Sequence, residues 1–271
     1  MKRRKTVGTA SGAVDTGVEE RIGPGSPWWG DHMARYELAK QSAEGKTVLD
    51  AACGTGYGTA ALQSCARWVV GVDLDESALA AARRAIDPSK GEILRADATR
   101  LPFATGHFSM VTSFETLEHL PDRPAFLREI ARVLAPDGVL LLSTPNARYT
   151  RPIEGKPRNR FHLFEYLPHE LRAELAGAFG SVELLGQTLD GRFVVPPFEF
   201  DMETVTDPMI RGGYQIRRVA SRLPSRARDA VAHVLWGHDF FPTSADYHFS
   251  SDTVEEAPVL VAVCRQSTST S

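Results

Sequence analysis

The run Val48-Leu49-Asp50-Ala51-Ala52-Cys53-Gly54-Thr55-Gly56-Tyr57-Gly58 constrains this chain more than any other stretch. An apolar segment suited to a buried parallel strand passes into a glycine-rich turn. The alanine-rich Thr59-Ala60-Ala61-Leu62 then reads as a helix. Glycines let the backbone turn sharply and approach a ligand, while the first N–H groups of the new helix point outward without partners. The next apolar run, Trp68-Val69-Val70-Gly71-Val72, closes on Asp73. That places an acid roughly 20 residues beyond the loop, where a carboxylate can hold ribose hydroxyls.

A strand–turn–helix of this kind needs repeated crossovers, and the pattern supplies them. Apolar runs at 47–52, 68–73, 91–97, 108–114 and 138–143 alternate with helical periodicity at about 56–66, 76–86 and 122–135. Asp122 is placed to cap the last of these, and Asp87-Pro88 stops the second. A further helix, about 168–179, leads to a strand at 182–189, and Pro258 to Cys264 forms a last strand. The expected fold is a doubly wound α/β domain: a seven-stranded, mostly parallel sheet with a terminal antiparallel strand. Residues 27–189 and 251–266 form that domain. Residues 190–250, broken by Pro196-Pro197 and Gly212-Gly213, are expected to be an inserted cap. Ahead of it, Pro27-Trp28-Trp29-Gly30 introduces a helix from Asp31 to Ser42, with Asp31 as N-cap.

Composition narrows the partners. The chain has 271 residues, 42% hydrophobic and 24% charged, with a net charge of −3. No excess of basic charge suggests a nucleic acid. The three cysteines, Cys53, Cys65 and Cys264, lack metal-ligand spacing, which suits a reducing compartment. Lys2-Arg3-Arg4-Lys5 begins a Gly/Thr/Ser-rich stretch without an apolar h-region, so residues 1–26 are expected to be a disordered basic tail. No run approaches a membrane span, and a cytoplasmic location is expected.

Gly54, Gly56 and Gly58 fall at alternate positions, not in the G-x-G-x-x-G fingerprint of dinucleotide dehydrogenases, and Asp50 precedes them. An acid there would repel a pyrophosphate and suits a cationic ligand. Together, Val48 to Gly56, Gly71-Val72-Asp73, Ala96 to Phe103, Phe108 to Leu120 and Arg132 to Gly138 resemble the class I S-adenosylmethionine-dependent methyltransferases of small molecules, the branch with quinone and sugar or glycolipid O-methyltransferases. The resemblance implies S-adenosyl-L-methionine as cofactor. Asp50 would contact its amino-acid part, Gly54 and Gly56 would line it, Asp73 would hold its ribose, and Asp97 would lie near the adenine. Leu74, Ala98 and Phe114, beside these positions at the strand ends, join the implied set. Ala52 stands where many members carry glycine, which is accommodated if its φ stays negative. Arg35 could reach the cofactor carboxylate or belong to the outer face of an amphipathic helix. Asp97 could instead cap a turn.

Transfer to a hydroxyl also needs a proton acceptor. His119, at the carboxyl edge of the fourth strand, and His162, in Arg160-Phe161-His162-Leu163-Phe164-Glu165-Tyr166, are the catalytic candidates. Alternatively, His119 belongs to a capping turn and His162 to a packed aromatic loop. Glu115, Glu118, His119 and Asp122 show no defined ligand spacing, so no metal is expected. The arginines at 211, 217, 218, 222, 226 and 228 could meet an anionic acceptor or lipid headgroups, or form a solvated face. The expected reaction is methyl transfer to a hydroxyl of a small molecule, a sugar or glycosylated metabolite. Transfer to nitrogen or carbon, or a non-catalytic subunit of the same fold, are the alternatives.

Overall fold

A computed structural model describes residues 22–24, 26–193 and 208–266. Most of the expected tail and part of the expected cap lie outside them. In chain order the elements are α1 (Trp29–Ala43), β1 (Thr47–Ala51), α2 (Tyr57–Leu62), β2 (Trp68–Asp73), α3 (Glu76–Ala85), β3 (Gly91–Arg95), β4 (Phe108–Phe114), α4 (Arg123–Val133), β5 (Leu134–Pro145), α5 (Ala147–Thr150), α6 (Pro168–Ala176), β6 (Ser181–Leu189), α7 (Pro208–Ala220), α8 (Ser225–Trp236), β7 (Tyr247–Ser250) and β8 (Val259–Arg265).

The strands form one sheet in the order β3-β2-β1-β4-β5-β8-β6-β7. The pairings make β1 to β6 run one way, with β7 and β8 opposed. The sheet therefore has eight strands where the sequence pattern gives seven. The extra one, β7, is four residues long, too short for a period-2 signal, and lies within the stretch read as cap. A second difference concerns α1. Trp28 is its N-cap residue, and Asp31 sits in its first turn. The start is set by packing rather than by a capping side chain: an added Cβ on Gly30 would fall 2.1 Å from the carbonyl oxygen of Pro242.

The strand residues alternate between two cores. Leu49, Val70, Val111, Leu140 and Leu142 face α4 and α6, meeting Phe126, Leu127, Ile130 and Leu171. Val48, Val69, Met110, Val139 and Leu141 face α1 and α2, meeting Tyr36, Ala39 and Leu62. Burial on both faces is why these strands read as continuous apolar runs. Asp122 caps α4, accepting from the Ala125 N–H at 3.0 Å. The Pro136-Asp137-Gly138 turn lies inside β5 as an irregularity, since the register to β4 shifts between Phe108 and Met110.

Candidate active site

The carboxyl ends of β1, β2 and β4 meet around the turn Ala52 to Gly58, where ligands of open α/β sheets bind. Three residues of the turn region have positive φ: Ala52 at 61°, Gly54 at 53° and Gly56 at 78°. The expectation of a negative φ at Ala52 is thus overturned. The turn needs a left-handed residue there, a conformation that costs a non-glycine residue roughly 1–2 kcal/mol. The glycines have separate reasons. A Cβ on Gly56 would strike Ala82 at 2.6 Å, and one on Gly58 would enter the Tyr36 ring at 1.8 Å. Around Gly54 no atom lies within 4 Å of that position, so its face is open.

Asp73 holds the turn in place. One carboxylate oxygen accepts from the Gly54 N–H at 2.8 Å and the other from the Asp75 N–H at 2.9 Å. Leu74 beside it is exposed. Asp50 faces inward, 1% exposed. It accepts from the hydroxyls of Thr59 at 2.7 Å, Thr112 at 2.9 Å and Tyr36 at 3.1 Å. Burial raises its carboxyl from 3.8 to about 6, against the opposing effect of the three hydroxyls. Asp97 is exposed at the end of β3 and accepts from the Thr99 N–H at 2.8 Å and hydroxyl at 2.7 Å, so it does cap a turn. Ala98 is half-buried next to it, and Phe114 packs edge-on against Tyr36, centroids 4.9 Å apart.

Arg35 is not a surface residue: it is 0% exposed. It donates to Asp31 at 2.9 Å and to the Gln187 side-chain carbonyl at 2.9 Å, with Glu115 at 3.8 Å. Burial opposes its charge, but the two carboxylates outweigh that and keep the guanidinium protonated. Its Nε is buried without a partner. Glu115 has φ 52°; the sequence pointed to it only within the set Glu115, Glu118, His119 and Asp122, and carried no signal for Gln187. Gln187 is separated from Arg35 by 152 positions and only the fold brings it near.

The structure brings His119 and His162 together, ring centroids 4.9 Å apart. His119 ends a 3-10 turn, Leu117–His119. Its Nδ1 lies 2.9 Å from the Phe161 carbonyl, which can only accept, so Nδ1 carries the proton and Nε2 the lone pair. Burial lowers its pKa, so the ring is neutral near pH 7. His162 is more fully engaged, with Nδ1 2.6 Å from Glu165 and Nε2 2.9 Å from the Asn159 amide nitrogen. Glu118, wholly buried, accepts from Thr144 at 2.9 Å and leaves Oε1 without a partner, 3.9 Å from His119 Nε2. Burial, with Glu115 nearby, pushes its carboxyl well above the ordinary range. Of Glu115, Glu118, His119 and Asp122, Asp122 is engaged in capping α4. Glu118, His119 and His162 instead present one ligand atom each within 4.8 Å of one another, a grouping in which His162 is already committed to Glu165 and Asn159.

Comparison with known proteins places this geometry in context. Residues 49–142 match the family model for a methyltransferase domain. A protein of Mycobacterium tuberculosis described as a probable S-adenosylmethionine-dependent methyltransferase is 36% identical over 183 residues, covering 66% of each chain. The chain thus matches just under two thirds of that relative's length. A fatty-acid O-methyltransferase of Mycolicibacterium smegmatis is 33% identical over 131 residues, 45% of this chain and 48% of the relative. Among solved structures, a methyltransferase of Thermotoga maritima superposes with TM-score 0.56 at 15% identity, covering 89% of this chain and 91% of the other, which shows likeness of fold alone.

Proposed function

The chain belongs to the class I S-adenosylmethionine-dependent methyltransferases, and on that premise we propose that it moves the methyl group of S-adenosylmethionine onto a hydroxyl of a small molecule, a sugar or glycosylated metabolite being the first acceptor class to test. The residues at the turn fit the cofactor. Gly54 is open where a ligand would lie, Asp73 fixes the turn and keeps further lone pairs for a ribose diol, and exposed Leu74 offers an apolar shelf. Asp97, Ala98 and Phe114 form the remaining strand-edge wall in this reading. Arg35 bears on the cofactor carboxylate in this reading as a buried positive charge, held by Asp31 and Gln187, and not as a direct donor. Asp50 acts by tying α2, which follows the turn, to α1 and β4.

The cofactor supplies a methyl on a positively charged sulfur, open to displacement by a nucleophile. The chain's part is to align the acceptor and take its proton. His119 suits the second task because its Nε2 lone pair is available and its ring is uncharged near neutrality. His162 positions the aromatic loop that carries Phe161, the residue whose carbonyl sets the tautomer of His119. The observation that carries the reading is the open Gly54 turn tied to Asp73, with His119 at the neighbouring strand edge.

Calorimetric titration with S-adenosylmethionine should show binding, and Asp73→Ala should weaken it by about 1–3 kcal/mol, the scale of a lost charge-assisted hydrogen bond. No heat with the intact protein would sink the reading. With radiolabelled methyl donor and panels of sugars, quinols and amines, His119→Ala should lose transfer to hydroxyls. In the intact protein the rate should fall only below the ordinary histidine pKa, because the His119 pKa is lowered. Undiminished activity of His119→Ala on an amine would favour transfer to nitrogen.

A further inference from the structure

Among the described residues, helices α7 and α8 expose an apolar surface. On α7 and just beyond it, Ile216, Val219, Ala220 and Leu223 recur at the i, i+3, i+4, i+7 spacing that normally faces a core. On α8, Val231, Val234 and Leu235 repeat the same stripe. The pair already has its own inner contacts: Ala220, Ala232 and Phe240 cluster together, and the Arg217 guanidinium lies over the Trp236 ring at 5.2 Å and the Phe240 ring at 4.8 Å. Apart from Ala220 and the half-buried Val231, the outer stripes are open. Val219 is 66% and Val234 85% exposed, with Ile216, Leu223 and Leu235 also exposed. Between them runs a groove of about 430 Å³ lined by Ile216, Val219, Ala220, Leu223 and Val231. A contiguous apolar surface of this kind marks an interaction site.

Charge says what it fits. Residues 208–236 contain six arginines and one acidic residue, Asp229, in a chain whose net charge is −3. Asp229 has Arg228 at 3.6 Å, while Arg222 and Arg226 stand exposed at the junction of the two helices. Exposed aliphatic side chains flanked by arginines, on helices of 13 and 12 residues, are the signature of segments that lie in a bilayer interface. Among the described residues no helix is long and apolar enough to cross a membrane. We infer that α7 and α8 form a docking surface for an anionic lipid bilayer, inserting Val219, Leu223, Val234 and Leu235 among the acyl chains and setting Arg222 and Arg226 against the phosphates. This is independent of the methyl-transfer reading, since docking needs neither cofactor nor acceptor.

The test is co-sedimentation of the full chain with vesicles of phosphatidylglycerol and phosphatidylcholine, and with pure phosphatidylcholine. Binding should favour the anionic vesicles and fall as salt is raised. Arg222→Gln and Arg226→Gln should each weaken it about fivefold, and Val219→Glu with Val234→Glu should abolish it. These side chains are exposed, so the variants should keep the melting temperature and cofactor affinity of the parent. Absent binding, or equal binding to both vesicle types, overturns the proposal. So does a dimer in sedimentation velocity that Val234→Glu dissociates while vesicles leave the protein in solution, because a second copy would then cover the face.

Discussion

At the residue scale the most informative side chain is Asp50. A carboxyl at the end of a central strand is visible in the sequence, but its consequence depends on burial, which removes water and leaves only Thr59, Thr112 and Tyr36 to solvate it. Its folded pKa, raised from 3.8 to about 6, means that the folded state holds a proton that the unfolded chain releases. The associated stability is present below about pH 4 and is lost as pH rises through about 6, a change of ~3 kcal/mol for about two pKa units. Asp50→Asn removes that titration. In urea denaturation its stability relative to the parent should rise between pH 4 and 7 by up to this amount; a constant difference would show that Asp50 does not titrate there. Arg35 teaches the same lesson. Its position in α1 suggested either a cofactor contact or a surface face, and only the approach of Asp31, Glu115 and Gln187 removed the second.

At the scale of elements, sequence signals worked where they were local. Asp122 and the helical spacing of Phe126, Leu127 and Ile130 are enough to start α4 and aim it at the sheet. Asp122→Ala should cost about 1 kcal/mol of global stability, read as a lower urea midpoint at unchanged slope. The start of α1 and strand β7 escaped because their causes are remote: Pro242 presses on Gly30, and β7 exists by pairing Tyr247 to Ser250 with β6. The same limit applied to α7 and α8. The arginines there were legible as a basic stretch, whereas the exposure of Val219 and Val234 was not.

For the whole molecule, closure of the sheet rests on contacts between distant parts of the chain. Asn146, just past β5, is fully buried and donates through Nδ2 to the carbonyls of Val254 at 3.0 Å and Ala257 at 2.9 Å, tying the end of β5 to the approach to β8. Asn146→Ala leaves two buried carbonyls without that donor and should cost about 2–4 kcal/mol, seen as a lower melting temperature. An undisturbed melting temperature would mean that another donor takes its place. The sequence by itself determined the alternation of strands and helices, the mostly parallel sheet and the glycine turn with Asp73, because strand periodicity, turn chemistry and caps act over a few residues. Tertiary structure alone decided that Asp50 turns inward, that His119 meets His162, that Arg35 lies buried against Gln187, and that two apolar stripes stay uncovered. Each of these depends on which distant surfaces exclude water from a side chain, and hydrophobic spacing along the chain does not carry that information.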